Sequence, residues 1–186
     1  MPTLAPAFIG IAGPIGAGKT TITQALAAAT SWPIASFGNE VRRIATDRGI
    51  PITRDELQRL GQQLLEDDPA GFIGSVVQQT PRTADQGLLI DGIRHERVVT
   101  ALRTLAAPHP FILLFLDANP EERIRHLRSR GDDHSLEDLA RMDAHATERE
   151  LPQVRAASTF VIDTRRPSDA VVADILGRIE EPLRNR

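Results

Sequence analysis

Five short apolar runs recur along the chain, at residues 7–12, 32–37, 87–92, 110–117 and 158–163. The stretches between them carry apolar residues at helical spacing instead. Ala7-Phe8-Ile9-Gly10-Ile11-Ala12 has no polar alternation, which predicts a parallel strand buried on both faces. Residues 110–117 form the most apolar run and are expected at the centre of the sheet. Helices are predicted over 18–30, with Ile22, Ala25, Leu26 and Ala29 on one face, and over 38–48, opened by Gly38 or Asn39. Thr53-Arg54-Asp55-Glu56 has capping-box spacing and starts a helix over 53–66. Asp68-Pro69 stops it, and 70–79 is a further helix. Helices over 94–105, 120–130, 135–150 and 168–184 complete the pattern. The third of the runs, through Leu88-Leu89-Ile90, ends in an acid, Asp91. Asn119-Pro120-Glu121-Glu122 is a strong helix start: a cap, proline at the first helical position, then acids against the positive end.

Strands alternating with helices predict an α/β fold, a parallel five-stranded sheet between two helical layers. The 186 residues suit a single domain, 1–186, with no linker, repeat or low-complexity tract. The stretches 38–80 and 120–150 are rich in arginine and longer than simple crossovers require, so they read as helical excursions over a sheet edge.

Composition narrows the picture. Hydrophobic residues make up 41% and aromatics only 4%, so the core must be aliphatic. A net charge of −3 argues against a general nucleic-acid binder without excluding a local basic face. There is no cysteine, hence no disulfide and no thiolate metal site. No apolar run approaches the roughly 18 residues of a membrane span. The first run follows no basic segment, so it reads as a strand and not as a signal peptide. A soluble cytoplasmic protein, monomer or homodimer, is expected.

Of 22 basic residues, one is a lysine. Lys19 lies in Gly13-Pro14-Ile15-Gly16-Ala17-Gly18-Lys19-Thr20, which matches G-x-x-x-x-G-K-[ST], the phosphate-binding P-loop. A strand precedes it and a helix succeeds it, as the motif needs. Glycines let backbone N–H groups turn toward phosphate oxygens, and the helix presents its positive end to the anion. Lysine is a compact point charge on a thin stem, not interchangeable with arginine. Lys19 is assigned to the β- and γ-phosphates of ATP and Thr20 to Mg²⁺, with Thr21 continuing the nucleotide-binding segment.

No second lysine exists, so the N-K-x-D guanine motif of switch GTPases is absent. Beyond the P-loop, order and spacing carry a resemblance. Ser36-Phe37-Gly38 followed by Arg42, Asp91-Gly92-x-Arg94, Asn119-Pro120-Glu121-Glu122-Arg123, Arg128-x-Arg130-Gly131-Asp132-Asp133 and Ile162-Asp163-Thr164-Arg165 recur in sequence order. With them the chain resembles the P-loop kinases of the nucleoside monophosphate kinase and dephospho-CoA kinase group over nearly its whole length. The segment after the second strand is most similar to that of phage-type deoxynucleoside monophosphate kinases.

The resemblance implies a P-loop NTPase three-layer sandwich using ATP and Mg²⁺ on a small-molecule phosphate acceptor. It implies that Phe37, Arg42, Asp91 and Arg94 hold the acceptor. Asp91 then either holds Mg²⁺ through water or orients the acceptor oxygen. It further implies a lid in which Arg123, Arg128 and Arg130 stabilise transferring charge, and an adenine border at Arg165. Arg43 competes with Arg42 for the crevice, and Arg42 is expected to face it. The histidines, His95, His109, His126, His134 and His145, lack ligand spacing and read as surface residues. The expected reaction is transfer of the ATP γ-phosphoryl group to a nucleotide-like acceptor, a (deoxy)nucleoside monophosphate foremost. A dephospho-CoA-like, modified-base or nucleic-acid acceptor stays open. So does a nucleotide-binding regulator, which would not need the lid arginines.

Overall fold

The computed structural model of the chain describes residues 4–129, 131, 134–144 and 149–184. The strands are β1 (Phe8–Ala12), β2 (Ile34–Ser36), β3 (Leu88–Ile93), β4 (Phe111–Asp117) and β5 (Phe160–Asp163). They form one parallel sheet in the order β2-β3-β1-β4-β5. The helices are α1 (Lys19–Thr30), α2 (Phe37–Asp47), α3 (Arg54–Asp67), α4 (Pro69–Val77), α5 (Glu96–Ala106), α6 (Pro120–Arg128), α7 (Leu136–Asp143), α8 (Leu151–Ala156) and α9 (Ser168–Arg184). No helix among the described residues is long and apolar enough to cross a membrane.

Strand side chains alternate between two separate cores, as period-2 geometry dictates. Phe8, Leu88, Ile90, Leu113 and Phe115 pack with α2, α3, α4, α5 and α8. Ile9, Ile11, Leu89, Leu114 and Leu116 pack with α1 and α9. Both cores are mainly aliphatic, though Phe8, Phe37, Phe72 and Phe115 join the first and Trp32 the second; each fully buried Leu or Ile stabilises the fold by about 1.5–3 kcal/mol. The central strand is β1, flanked by β3 and β4, and not the more apolar β4.

Four expectations need correction. The second strand spans Ile34–Ser36, not 32–37, because the Ser36 hydroxyl accepts from the Asn39 N–H and starts α2 at Phe37. The helix expected from Arg94 begins at Glu96, since β3 extends through Ile93. The helix expected over 135–150 ends at Asp143, with 145–148 outside the described residues. Finally, α8 begins after Glu150 with Pro152 in its first turn, a separate helix where the pattern of apolar positions predicts none.

Candidate active site

The carboxyl ends of the strands meet at a topological switch, where open α/β sheets bind ligands. The chain leaves β1 for β2 beyond β3 on one side, and later adds β4 on the other. The loop after β1 therefore sits in the crevice between diverging connections. Register explains why distant residues converge there. Asp91 of β3 lies opposite Ile11 of β1 and Ser36 of β2. Beyond Asp91 the pairing slips, and Ala12 faces Ile93 instead of Gly92. Gly92 is the extra residue of this bulge, at φ 89°, and a Cβ there would lie 3.4 Å from the Cβ of Phe37. A bulge bends the strand and re-aims the residues beyond it; Arg94 then enters the crevice wall.

The P-loop wraps the base of α1. Lys19 lies across it, its Nζ donating to the carbonyls of Gly13 and Pro14 at 2.8 Å each. Gly16 has φ 81°, and a Cβ there would lie 2.8 Å from the Arg123 carbonyl oxygen. Only glycine fits that backbone. The loop glycines and the N-terminus of α1 form a cradle suited to phosphate oxygens.

One cavity of about 920 Å³ runs from this loop to the inner face of α3. Ile15, Gly16, Lys19 and Thr20 line one end. Phe37, Arg42 and Arg94 line the other, on a floor that includes Val41, Leu65 and Phe72, and Asp91 lines the cavity beside the end of β1. Phe37 meets Phe72 edge-to-face at 5.6 Å, which fixes the floor. Arg42 donates to Asn39 Oδ1 at 3.1 Å. Arg43 faces away, held by Glu40 and Asp47 at 2.7 Å each, and its hydrogen bond lowers the Glu40 carboxyl's pKa against the opposing effect of burial. Burial pushes the Arg94 pKa down, the Asp91 charge pushes it up, and the Arg54 charge pushes it down again.

Arg54 was not expected here, because its segment reads only as a helix cap. With Gln58 and Gln62 it lines the cavity from α3. Their i, i+4, i+8 spacing is the signal that marks a polar helix face. A second unexpected residue is Gln79. Its side-chain amide accepts from Ser36 N–H at 3.0 Å and donates to Ser36 carbonyl at 2.8 Å, standing in for a neighbouring strand along the edge of β2. Nothing in the sequence around Gln79 announces this.

Other expected residues lie outside the cavity lining. Thr21 is exposed on α1, and Arg165 binds its neighbour Asp163 at 2.6 Å. Arg128 faces a shallow cleft with Glu121, Ser135 and Leu136. Arg130, Asp132, Asp133 and His145 lie outside the described residues. Arg123 departs furthest from a mobile lid arginine. It is 5% exposed; its Nε donates to the Ile15 carbonyl at 2.6 Å, and its Nη atoms hold Asp143 at 2.8 and 2.6 Å. Nor are all the histidines surface residues. His126 donates from Nδ1 to the Gly16 carbonyl at 2.8 Å. His95, at the cavity wall, pairs with Glu150 at 3.0 Å; burial pushes the Glu150 pKa up, and the His95 contact, the Glu96 N–H and the Arg97 charge together outweigh it and leave it lowered. His134 also lines the cavity, and His109 stacks on Phe8.

No three His, Asp or Glu side chains group as a metal site among the described residues. Thr20 and Asp91 nonetheless both line the cavity and offer the oxygen donors Mg²⁺ takes, together with phosphate oxygens.

Sheet order, loop and cavity define a P-loop protein with the kinase-type fold. The chain belongs to the AAA_18 family, an AAA domain, whose pattern matches residues 9–149. It is 27% identical over 125 residues to the UPF0200 protein of Hyperthermus butylicus, covering 67% of this chain and 65% of that protein's length. It is 27% identical to a cytidylate kinase of Nitratidesulfovibrio vulgaris, over 94% of this chain and 91% of that one. A cytidylate kinase of Pyrobaculum arsenaticum is 28% identical over 84% of this chain and 77% of its own. Among solved structures, a gluconokinase from Sinorhizobium meliloti superposes with a TM-score of 0.62 at 17% identity, covering 98% of this chain and 96% of that one. A shikimate kinase from Bacteroides thetaiotaomicron does so with a TM-score of 0.59 at 15% identity, covering 94% and 98%. These structures share the fold.

Proposed function

We propose that the protein is an ATP-dependent phosphotransferase acting on a small nucleotide-like acceptor, foremost a (deoxy)nucleoside monophosphate. One observation carries the reading: a single cavity joins the P-loop to a wall bearing Arg42, Arg54 and Arg94. The two cytidylate kinases, aligned over most of their lengths, support a nucleotide acceptor. So does the cavity floor, where Phe37, Val41, Leu65 and Phe72 offer an apolar bed for a flat ring. A sugar acid, small and hydroxylated, would leave that bed uncovered.

Phosphoryl transfer needs positioning and charge neutralisation more than covalent chemistry. The P-loop amides and Lys19 hold the ATP phosphates. Thr20 and Asp91 would hold Mg²⁺, which neutralises phosphate charge when bound. Arg94 and Arg42 grip the acceptor phosphate and turn its oxygen toward the γ-phosphorus. A bond from that oxygen to phosphorus forms as the bond to the β–γ bridging oxygen breaks, leaving ADP. The phosphate oxygen of a monophosphate carries no proton at neutral pH, so no general base is required. Asp91 then orients rather than deprotonates. Arg165 and Thr21 border the nucleotide without lining the cavity, and Arg128 has no assigned contact with the reacting groups.

The test is ADP formation from ATP·Mg²⁺ with each nucleoside and deoxynucleoside monophosphate in turn. Acceleration by at least one of them is expected. Tight ATP binding with no acceleration by any would refute the reading and favour a nucleotide-binding regulator.

A further inference from the structure

We infer that Arg123 and Asp143 form a fixed strut that sets the P-loop in its phosphate-binding conformation, and that neither side chain swings into the site. This rests on the reading that the P-loop binds ATP. Arg123 is buried on α6 and holds three acceptors at once: the Ile15 carbonyl through Nε, and both oxygens of Asp143 through its two Nη atoms. The paired geometry uses the planar fork that only arginine has. Asp143 is the last residue of α7, so the contact joins that helix to the loop.

The carbonyl that Arg123 holds belongs to the Ile15–Gly16 peptide, which is not among the cis bonds of the chain. In a trans peptide the N–H points opposite to the carbonyl. Drawing the Ile15 carbonyl outward therefore turns the Gly16 N–H to the opposite side, and Gly16 lines the cavity. Neighbouring contacts act in the same sense. The Gly16 carbonyl accepts from His126, also on α6. The Ile15 side chain packs on a small separate core of Ile124, Leu127 and Leu139, which belongs to α6 and α7 alone. The tip of the loop is thus seated on α6, and Asp143 neutralises and orients the guanidinium that grips it. Arg123 and Asp143 are positioning residues. Arg123 touches the loop and Asp143 touches Arg123, and neither reaches the transferred group.

The competing possibility is an arginine that leaves Asp143 to grip ATP. The two differ in sign. If Arg123 is a strut, Asp143→Ala weakens ATP binding, roughly tenfold on the scale of typical coupling between linked sites. If Arg123 swings, the same change frees it and ATP binds as well or better. Affinity for ATP·Mg²⁺ is measured by calorimetry on the unaltered protein, Asp143→Ala, Asp143→Asn and Arg123→Lys, with acceptor KM measured alongside. The strut predicts weaker ATP binding in all three variants and an unchanged acceptor KM. A role in folding alone would lower Tm and leave ATP affinity intact, which overturns the inference, as does tighter binding in Asp143→Ala. Asp143→Asn keeps the shape of a side chain that is 42% exposed, so it serves if the alanine variant does not fold. No ATP binding by the unaltered protein would sink the functional reading and the strut with it, whereas normal binding there with unchanged variants sinks the strut alone.

Discussion

The two ends of the cavity are built by opposite strategies. The P-loop end is one contiguous segment, Gly13 to Thr20, and its chemistry is mostly backbone. The other end takes side chains from α2, α3 and β3, brought together by register, a bulge and a glutamine clamp on β2. A backbone site tolerates almost no change of conformation, and here Arg123 and His126 of α6 hold it from outside. A side-chain site can be retuned one residue at a time. The first is suited to a phosphate chain, and the second to recognition that single side chains can change.

The largest effect should come from Lys19→Ala. Loss of one preorganised charge at the transferring group costs about 10²–10³-fold in turnover. Circular dichroism should show the fold intact, and retained turnover would remove the donor end from the comparison. Gly16→Ala comes next. It forces a side chain into φ 81° and against the Arg123 carbonyl, so ATP binding should be lost. Stability should fall by about 1–3 kcal/mol, read from denaturant unfolding.

On the acceptor side, Arg94→Ala removes a charged hydrogen-bond donor worth about 1.5–3 kcal/mol, or roughly 10- to 150-fold in acceptor KM. ATP affinity should hold, and that split is what separates the two ends. Arg54→Ala should do less, because Arg54 is exposed. Its contribution should shrink as salt rises, since exposed charges are screened.

The smallest effect concerns Asp163. Hydrogen bonds from Arg165, side chain first and backbone second, lower its pKa to about 2. A depressed carboxylate adds stability above its unfolded value of about 3.8, and that stability is lost as pH falls toward about 2. Both groups are exposed, so the gain is slight. Arg165→Ala should raise the Asp163 pKa in an NMR titration and barely change stability at neutral pH.

The same contrast governs what the sequence makes legible. The five runs predict the five strands because burial on both faces leaves no polar alternation. The P-loop is legible because its residues are adjacent. Phe37, Arg42, Asp91 and Arg94 were expected together, and they do line one cavity. Arg54 was hidden inside a capping segment. Gln79 acts on Ser36 across 43 residues, with no local pattern to show it. Arg123 was expected in a mobile lid, because its partner Asp143 lies 20 residues away, past the end of α6. Side-chain sites made from separate elements depend on register, and register is a property of the assembled sheet.

On the proposed function, donor and acceptor meet in one cavity. Dinucleotides in which adenosine and a second nucleoside are joined by five phosphates span both ends at once. Calorimetry with such compounds, one for each base, should give one molecule bound per chain and tighter binding than ATP. Arg94→Ala should weaken that binding while sparing ATP. A dinucleotide series that binds no better than ATP, and that is indifferent to Arg94→Ala, would show that the two nucleotides do not share the cavity.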